Sequence, residues 1–239
     1  MSSKYYWKKG EALAVSSWGG SVGLGTLWDS NKFDLIRSTS YIHWIFIEFL
    51  QKDTGHKVIL FNIYVPALFS ERRNCWEQIQ DYLTSHLLDN IILARDLNIT
   101  LSDRGKRGSS KVRDPSREWV EDIISEWDLE DIKPLRGNFT WTNKRLGPGH
   151  ITARLDRFLV QHSLLLIGLS ASSQILSFGA SNHKPILLEV TEDGNLCPIP
   201  FRYNRAWIDM EGFQELVASV WNFFFLDSPS LSVKRNSVT

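Results

Sequence analysis

KVILFNIYVP at residues 57–66 and IILARDLNIT at 91–100 are the two stretches on which the fold turns. Each carries a short apolar run rich in β-branched and aromatic side chains, of a length that suits a buried strand and not a helix. Between them Trp76, Ile79, Leu83 and Leu87 recur at three- and four-residue steps. That spacing predicts an amphipathic helix over 71–88, broken by Asp89-Asn90. Strand, helix and strand in this order make a βαβ unit, two parallel strands joined by a right-handed crossover. Parallel strands present ligands and catalytic groups beyond their carboxyl ends. Here those ends are Tyr64 and Asp96-Leu97-Asn98, so a phenol, a carboxylate and a carboxamide are expected along one sheet edge. The same residues also suit a plainer role, with Tyr64 in the core and Asp96 and Asn98 in an ordinary turn.

Upstream, YIHWIFIEFL at 41–50 reads as another buried strand. Downstream, SDRGKRGSSKVRDPSR at 102–117 is a Gly- and Ser-containing loop with six basic and two acidic residues. Asp114 is an expected N-cap with Pro115 at the first helical position. Trp119, Ile123 and Trp127 then form one buried face. Short strands are expected at 138–142, 153–160, 173–178 and 185–190. Several late strands after an early βαβ unit point to a mixed-sheet α/β sandwich with outer helices, not to a doubly wound nucleotide fold. TEDGNLCPIP at 191–200 reads as a linker, followed by a short amphipathic helix near 207–222 and a loose tail. The expected division is a domain over 1–192 and an appendage over 193–239.

The 239 residues are 43% hydrophobic and 23% charged, enough for a sizeable core, which excludes a wholly disordered or fibrous chain. Lys+Arg and Asp+Glu both total 27, so a polyanion must be met by a local basic patch. Cys75 and Cys197 form no CxxC, which argues against a disulfide framework or a thiolate zinc site and for a reducing compartment. No export signal and no apolar run of about 18 residues is seen. The expected location is intracellular, nuclear or cytoplasmic, with no membrane and no evident protein partner.

Asp156 lies inside the apolar run ARLDRFLV, and a carboxylate placed there needs a partner because burying it alone is costly. His183, in SNHKP, is one candidate; Arg154 and Arg157 are the others. An Asp–His pair would fix the imidazole tautomer and raise its pKa, as suits an acid or base.

In order and spacing, IILARDLNIT, FTWTN, ARLDRFLV and SNHKPILLEV resemble the endonuclease/exonuclease/phosphatase superfamily. WGGSVGLGTLWDS near residue 18 and PFRYNRAW at 200–207 are similar to its branch in plant LINE-type retrotransposons, akin to apurinic/apyrimidinic endonucleases. The resemblance covers roughly residues 10–222 and implies a four-layer sandwich of two mixed β-sheets flanked by helices. It also implies hydrolysis of DNA phosphodiesters with magnesium or manganese. Position by position, it implies that Tyr64 hydrogen-bonds the scissile phosphate, Asp96 activates the attacking water and Asn98 holds it. His183, oriented by Asp156, would stabilise charge growing on the phosphate oxygens.

The chain departs from that pattern in three places. A first strand carrying Asn and a second carrying Gln-Glu, whose Glu is the principal metal ligand, are not seen, so the first strand–helix–strand is expected to be missing. Ser181-Asn182-His183 stands where the family has Ser-Asp-His, leaving Asn182 as a weak metal ligand. Arg95 replaces the Gly before Asp96. Loss of two carboxylates lowers the expected affinity for a hard cation, so activity is expected to be weakened or lost, as in a degenerate element. The alternative is a catalytically dead nucleic-acid-binding remnant. Arg104, Lys106, Arg107, Lys111 and Arg113 in the loop, with Lys144, Arg145 and Arg154, are candidate contacts to a DNA backbone; a solvated loop is equally consistent.

Overall fold

The computed structural model describes residues 10–16, 23–86, 88–108, 114–166, 168–177, 181–192 and 212–218. β1 (Gly10–Val15) and β2 (Leu24–Asp29) form an antiparallel pair. β3 (Phe33–Ser40), β4 (Trp44–Gln51) and β5 (Lys57–Tyr64) make an antiparallel meander, with a register shift between Leu35 and Arg37. α1 (Phe69–His86) crosses over to β6 (Ile91–Asp96), parallel to β5 as the spacing predicts. There follow β7 (Lys106–Arg107), α2 (Arg117–Glu126), β8 (Leu129–Asp131), β9 (Trp141–Thr142), β10 (Thr152–Ala153) and β11 (Asp156–Gln161). α3 (His162–Leu166), β12 (Leu169–Ile175) and β13 (Ile186–Glu192) follow β11.

The central sheet has six strands in the order β3-β4-β5-β6-β11-β8. It is buried on both faces, which is why β4 and β5 read as near-continuous apolar runs. On one face Trp44, Phe46, Phe61, Ile63 and Leu93 pack against Cys75, Trp76, Ile79 and Leu83 of α1 and Val120 and Ile123 of α2. On the other, Ile45, Ile47 and Phe49 meet Leu24 and Trp28 of β2. Farther along that second face, Ile92 and Val160 meet Leu169, Ala171 and Leu188 of the β12–β13 pair. The result is a mixed α/β sandwich of several sheets with few helices. Among the described residues, no helix is long and apolar enough to cross a membrane.

Two polar ties fix the layers. Asn62, buried in β5, donates to the Gly25 carbonyl and to Thr26 Oγ1, both at 3.0 Å, and so pins β2 onto the sheet. At the far edge Asp131 of β8 accepts from Arg154 at 2.8 and 2.6 Å and from Arg157 at 2.7 Å. Burial pushes the Arg157 guanidinium down to about 10. Between β2 and β13 an apolar cavity of about 810 Å³ remains, floored by Phe49, Val58, Leu60 and Phe158. The edges of β2 and β13 that do not face their own partners carry no strand among the described residues.

Several local expectations are corrected. Helix α2 begins at Arg117 with Ser116 as its N-cap, not at Pro115. Asp114 instead accepts the Ser116 N–H at 2.9 Å and pairs with buried Arg72 at 2.7 Å. Val120 and Ile123 are the buried residues of α2, while Trp119 and Trp127 are half-buried at its flanks. The run 153–160 splits into β10 and β11, because the chain leaves one ladder and enters another at Arg154-Leu155. Strands β1, β2, β3, β7 and β8 and helix α3 are additional to the elements the sequence predicts, β7 lying within the stretch expected as a loop. Residues 213–218 are helical, within the helix expected near 207–222. The rest of that helix, the linker after Glu192, the tail and Leu87 lie outside the described residues.

The Asp131 tie gives a stability test. Asp131→Ala leaves two buried guanidinium groups without their shared carboxylate and is expected to lower unfolding free energy by about 3–5 kcal/mol, measured by urea denaturation. A loss below about 1 kcal/mol would show that the tie is dispensable.

Candidate active site

The parallel register sets Tyr64 beside Asp96, and the antiparallel register sets Asp156 opposite Asp96. Val58 and Leu60 in β5, Ile92 in β6 and Phe158 and Val160 in β11 all pack in one cluster. Side chains alternate along a strand, so Tyr64, Asp96 and Asp156 share the face those residues define. Three strands thus deliver a phenol and two carboxylates in one row. Tyr64 is exposed; both carboxylates are buried.

Beyond β6 the chain turns sharply. The Asn98 N–H donates to Asp96 Oδ1 at 2.9 Å, and the Asn98 amide donates to the Val65 carbonyl at 2.7 Å. Asn98 adopts φ +48°, a left-handed conformation that Asn tolerates better than most residues. The carboxamide is therefore held against the end of β5, next to the carboxylate it follows.

His183 arrives from the segment before β13. Thr142 donates its N–H to the Asn182 carbonyl at 3.0 Å, Lys184 donates to the Thr140 carbonyl at 2.7 Å, and Trp141 and His183 form an isolated bridge. His183 Nδ1 lies 2.9 Å from Asp156 Oδ2, and Nε2 lies 3.9 Å from Asp96 Oδ2. Of the three partners open to Asp156 on sequence, the structure selects His183, because Arg154 and Arg157 are both taken by Asp131.

The electrostatics follow from this packing. The hydrogen bond to Asp156 raises the His183 pKa above 6.5; desolvation opposes it, the charges of Asp156 and Asp96 add to it, and Arg95 lowers it. Burial raises the Asp96 pKa above 3.8, opposed by the Asn98 N–H and supported by the neighbouring Asp156. Both groups therefore hold a proton more readily than they would free in water.

Asp96, Asp156 and His183 offer ligand atoms that all lie within 4.8 Å of one another. Two carboxylates suit a hard divalent cation. The set fits such an ion coarsely, since Nδ1 of the imidazole is already committed to Asp156. Asn182 is exposed and brings only a neutral amide.

The basic candidates divide. Arg104, Lys106, Arg107, Lys144 and Arg145 are exposed. Lys106 and Arg107 form β7, at the edge of the ladder β7-β10-β9 whose Trp141 reaches His183. Lys111 and Arg113 lie outside the described residues. Arg154 is a correction: it is buried and bidentate on Asp131, so its charge is spent inside the protein and not offered to DNA.

One contributor went unnoticed in the sequence. The buried Thr140 accepts from the N–H groups of Leu155 and Asp156 through Oγ1, both at 3.0 Å, while its carbonyl holds Lys184. It thereby fixes the backbone on both sides of the Asp156–His183 pair. A Thr within FTWTN carries no pattern of its own that separates it from a strand residue.

The raised His183 pKa implies a pH-dependent contribution to stability, fully present below pH 6.5 and lost as pH rises through the raised value. Asp156→Asn removes its principal cause, so the His183 pKa, followed by NMR of the ring, is expected to fall and that alkaline loss of stability to shrink. An unchanged pKa would break the assignment of Asp156 as the controlling partner.

No protein-family model matches the sequence, and no curated protein matches it. Solved structures do. The endonuclease domain of TRAS1, described as a telomere-specific non-LTR retrotransposon, superposes with a TM-score of 0.61 at 13% identity, over 78% of this chain and 82% of that one. An endonuclease/exonuclease/phosphatase family protein from Bacteroides thetaiotaomicron gives 0.55 at 15% identity, over 80% and 79%. TDP2 of D. rerio, solved with a single-strand DNA product, gives 0.56 at 13%, over 79% of each chain. The chain has the fold of the endonuclease/exonuclease/phosphatase proteins.

Proposed function

We propose that the chain is a phosphodiesterase domain acting on DNA, an endonuclease of the LINE-type retroelement kind. The observation that carries this reading is the row of Asp96, Asp156 and His183, with Nδ1 of His183 on one carboxylate and Nε2 turned towards the other. Support for DNA comes from the likeness to the TRAS1 endonuclease domain and to TDP2, and from the exposed basic residues of β7 and its neighbouring turn.

In this reading Asp96 takes a proton from the water that attacks phosphorus. Asn98 holds that water, and Tyr64 donates its hydroxyl to a phosphate oxygen. His183 carries a proton on Nε2, kept there by Asp156 on the other nitrogen, and donates to the oxygen on which charge develops. Magnesium or manganese, held by Asp96 and Asp156, would supply Lewis-acid polarisation of the phosphoryl group. Such a substrate places the protein in the nucleus or cytoplasm.

A second reading is a DNA-binding module that has lost catalysis. It is favoured by Asn182, exposed and neutral where the resembling family has Asp. A neutral amide in place of that carboxylate weakens the hold on a hard cation.

Nicking of supercoiled plasmid with magnesium, manganese or chelator separates the two. The enzyme reading expects metal-dependent nicking that falls about 10²–10⁴-fold in His183→Ala. It also expects a bell-shaped pH profile. Its acid limb lies above 3.8, where Asp96 loses its proton, and its alkaline limb above 6.5, where His183 does. Salt-sensitive DNA binding without nicking, unmoved by magnesium or by His183→Ala, would leave only the binding module.

A further inference from the structure

Arg72, near the start of α1, is buried, and each nitrogen of its guanidinium is hydrogen-bonded. Nε donates to the Pro66 carbonyl at 3.3 Å and Nη2 to the Ala67 carbonyl at 3.0 Å. Nη1 donates to Asp114 Oδ2 at 2.7 Å and to Ser116 Oγ at 3.4 Å, at the entry to α2. Burying a guanidinium is costly unless a charge partner and further acceptors meet it, and this one has both. Joining α1 to α2 needs Asp114 and Ser116 alone. The two carbonyls belong instead to the residues that lead the chain away from Tyr64, at the end of β5.

Between Tyr64 and those carbonyls stands Val65, fully buried, with both of its backbone groups bonded to the turn after β6. Its N–H donates to the Asp96 carbonyl at 2.9 Å, and its carbonyl accepts from the Asn98 carboxamide at 2.7 Å. The Val65 carbonyl lies in the peptide plane that ends at the Pro66 nitrogen, and the Pro66 carbonyl lies in the next plane. Proline fixes φ between the two planes and has no N–H with which to anchor the first. One soft torsion, ψ of Pro66, therefore separates them, and the second plane is the one Arg72 grips.

We propose that Arg72 is a positioning residue for Asn98: by holding the Pro66 and Ala67 carbonyls it aims the Val65 carbonyl, which in turn holds the carboxamide at the site. What Asn98 then does rests on the phosphodiesterase reading, in which it holds the attacking water. What Arg72 does rests on these hydrogen bonds alone. Lysine is no substitute, because an ammonium is a point charge without the planar fork that reaches two carbonyls and a carboxylate together.

The test follows hydrogen exchange of the Asn98 side-chain amide by NMR of the full chain, with the Asn62 side chain as internal control. Asn62 is likewise a carboxamide bonded to a carbonyl, that of Gly25, and shares no partner with Arg72. In Arg72→Lys, exchange at Asn98 is expected to rise about tenfold relative to Asn62, the effect of weakening one hydrogen bond. Asp114→Asn keeps the guanidinium and carries the same comparison if the lysine variant does not fold, with a rise of about threefold expected. In plasmid nicking Arg72→Lys is expected to lower kcat about tenfold with KM unchanged. Added to Asn98→Ala, it is expected to cost nothing further, because the two residues act as one unit. Unchanged exchange at Asn98 would overturn the proposal, and so would additive losses in the double variant. An equal rise at Asn98 and Asn62 would also overturn it, reducing Arg72 to a general stabiliser. Selective loosening of Asn98 in a chain that nicks no plasmid would uphold the role of Arg72 and sink the enzyme reading. Wild-type nicking with Asn98 unmoved by either variant would do the reverse.

Discussion

Two buried carboxylates in direct cross-strand register are an arrangement a protein cannot leave alone. Asp96 and Asp156 face each other at the junction of β6 and β11, where like charges repel and burial penalises both. The molecule resolves this with a hydrogen bond from each side. The Asn98 N–H satisfies one oxygen of Asp96, and His183 satisfies one oxygen of Asp156. The geometry of the site, and the opposed acid–base tendencies of its members, follow from that single requirement. His183 is drawn in to neutralise a carboxylate, and in doing so its second nitrogen is turned to the other one.

The β12–β13 pair has a place in this as well. Its apolar side chains, Leu169, Ala171 and Leu188, dock on the central sheet, while the segment leading into β13 is stitched to residues 140–142. Burial of the pair fixes the position of His183, and Thr140 fixes its height relative to Asp156. Packing and polar satisfaction are therefore not separable here, because loosening the pair from the sheet would also release the imidazole.

What could be read from the sequence divides along physical lines. The βαβ unit was legible because both its strands are buried on two faces and its helix on one, so the periodicities are strong. Tyr64, Asp96 and Asn98 followed, since polar groups at the ends of parallel strands need only the topology to be brought together. β3 was not legible because it is an edge strand with few buried side chains, and FDLIRSTS shows no apolar face. Arg154 was misplaced for a related reason. In sequence it stands among basic residues, and only the fold shows that Asp131, two strands away in order, claims it. The partner of Asp156 was open for the same reason, since the choice among three cations depends on which of them another carboxylate has already taken.

The backbone around Asp96 extends this logic. Asp96 is flanked by two residues with positive φ, Arg95 at +102° and Asn98 at +48°, with only Leu97 between Asp96 and the second. Leu97 is buried and its N–H is bonded to the Leu155 carbonyl, so the chain is anchored by an apolar side chain just past the carboxylate. A strand that simply ran on would have carried Asn98 away from Val65 and put the carboxamide out of reach of the site. The left-handed turn at Asn98 instead folds the amide back onto the end of β5, with the Asp96 side chain accepting the freed N–H. The Asp-Leu-Asn order is thus a structural unit. The carboxylate terminates the strand, the leucine roots it in the core, and the asparagine tolerates the turn that returns a polar group to the same edge. Any chemistry at that edge depends on this turn as much as on the carboxylate itself, because the turn aims Asp96 towards His183 and keeps its other oxygen occupied.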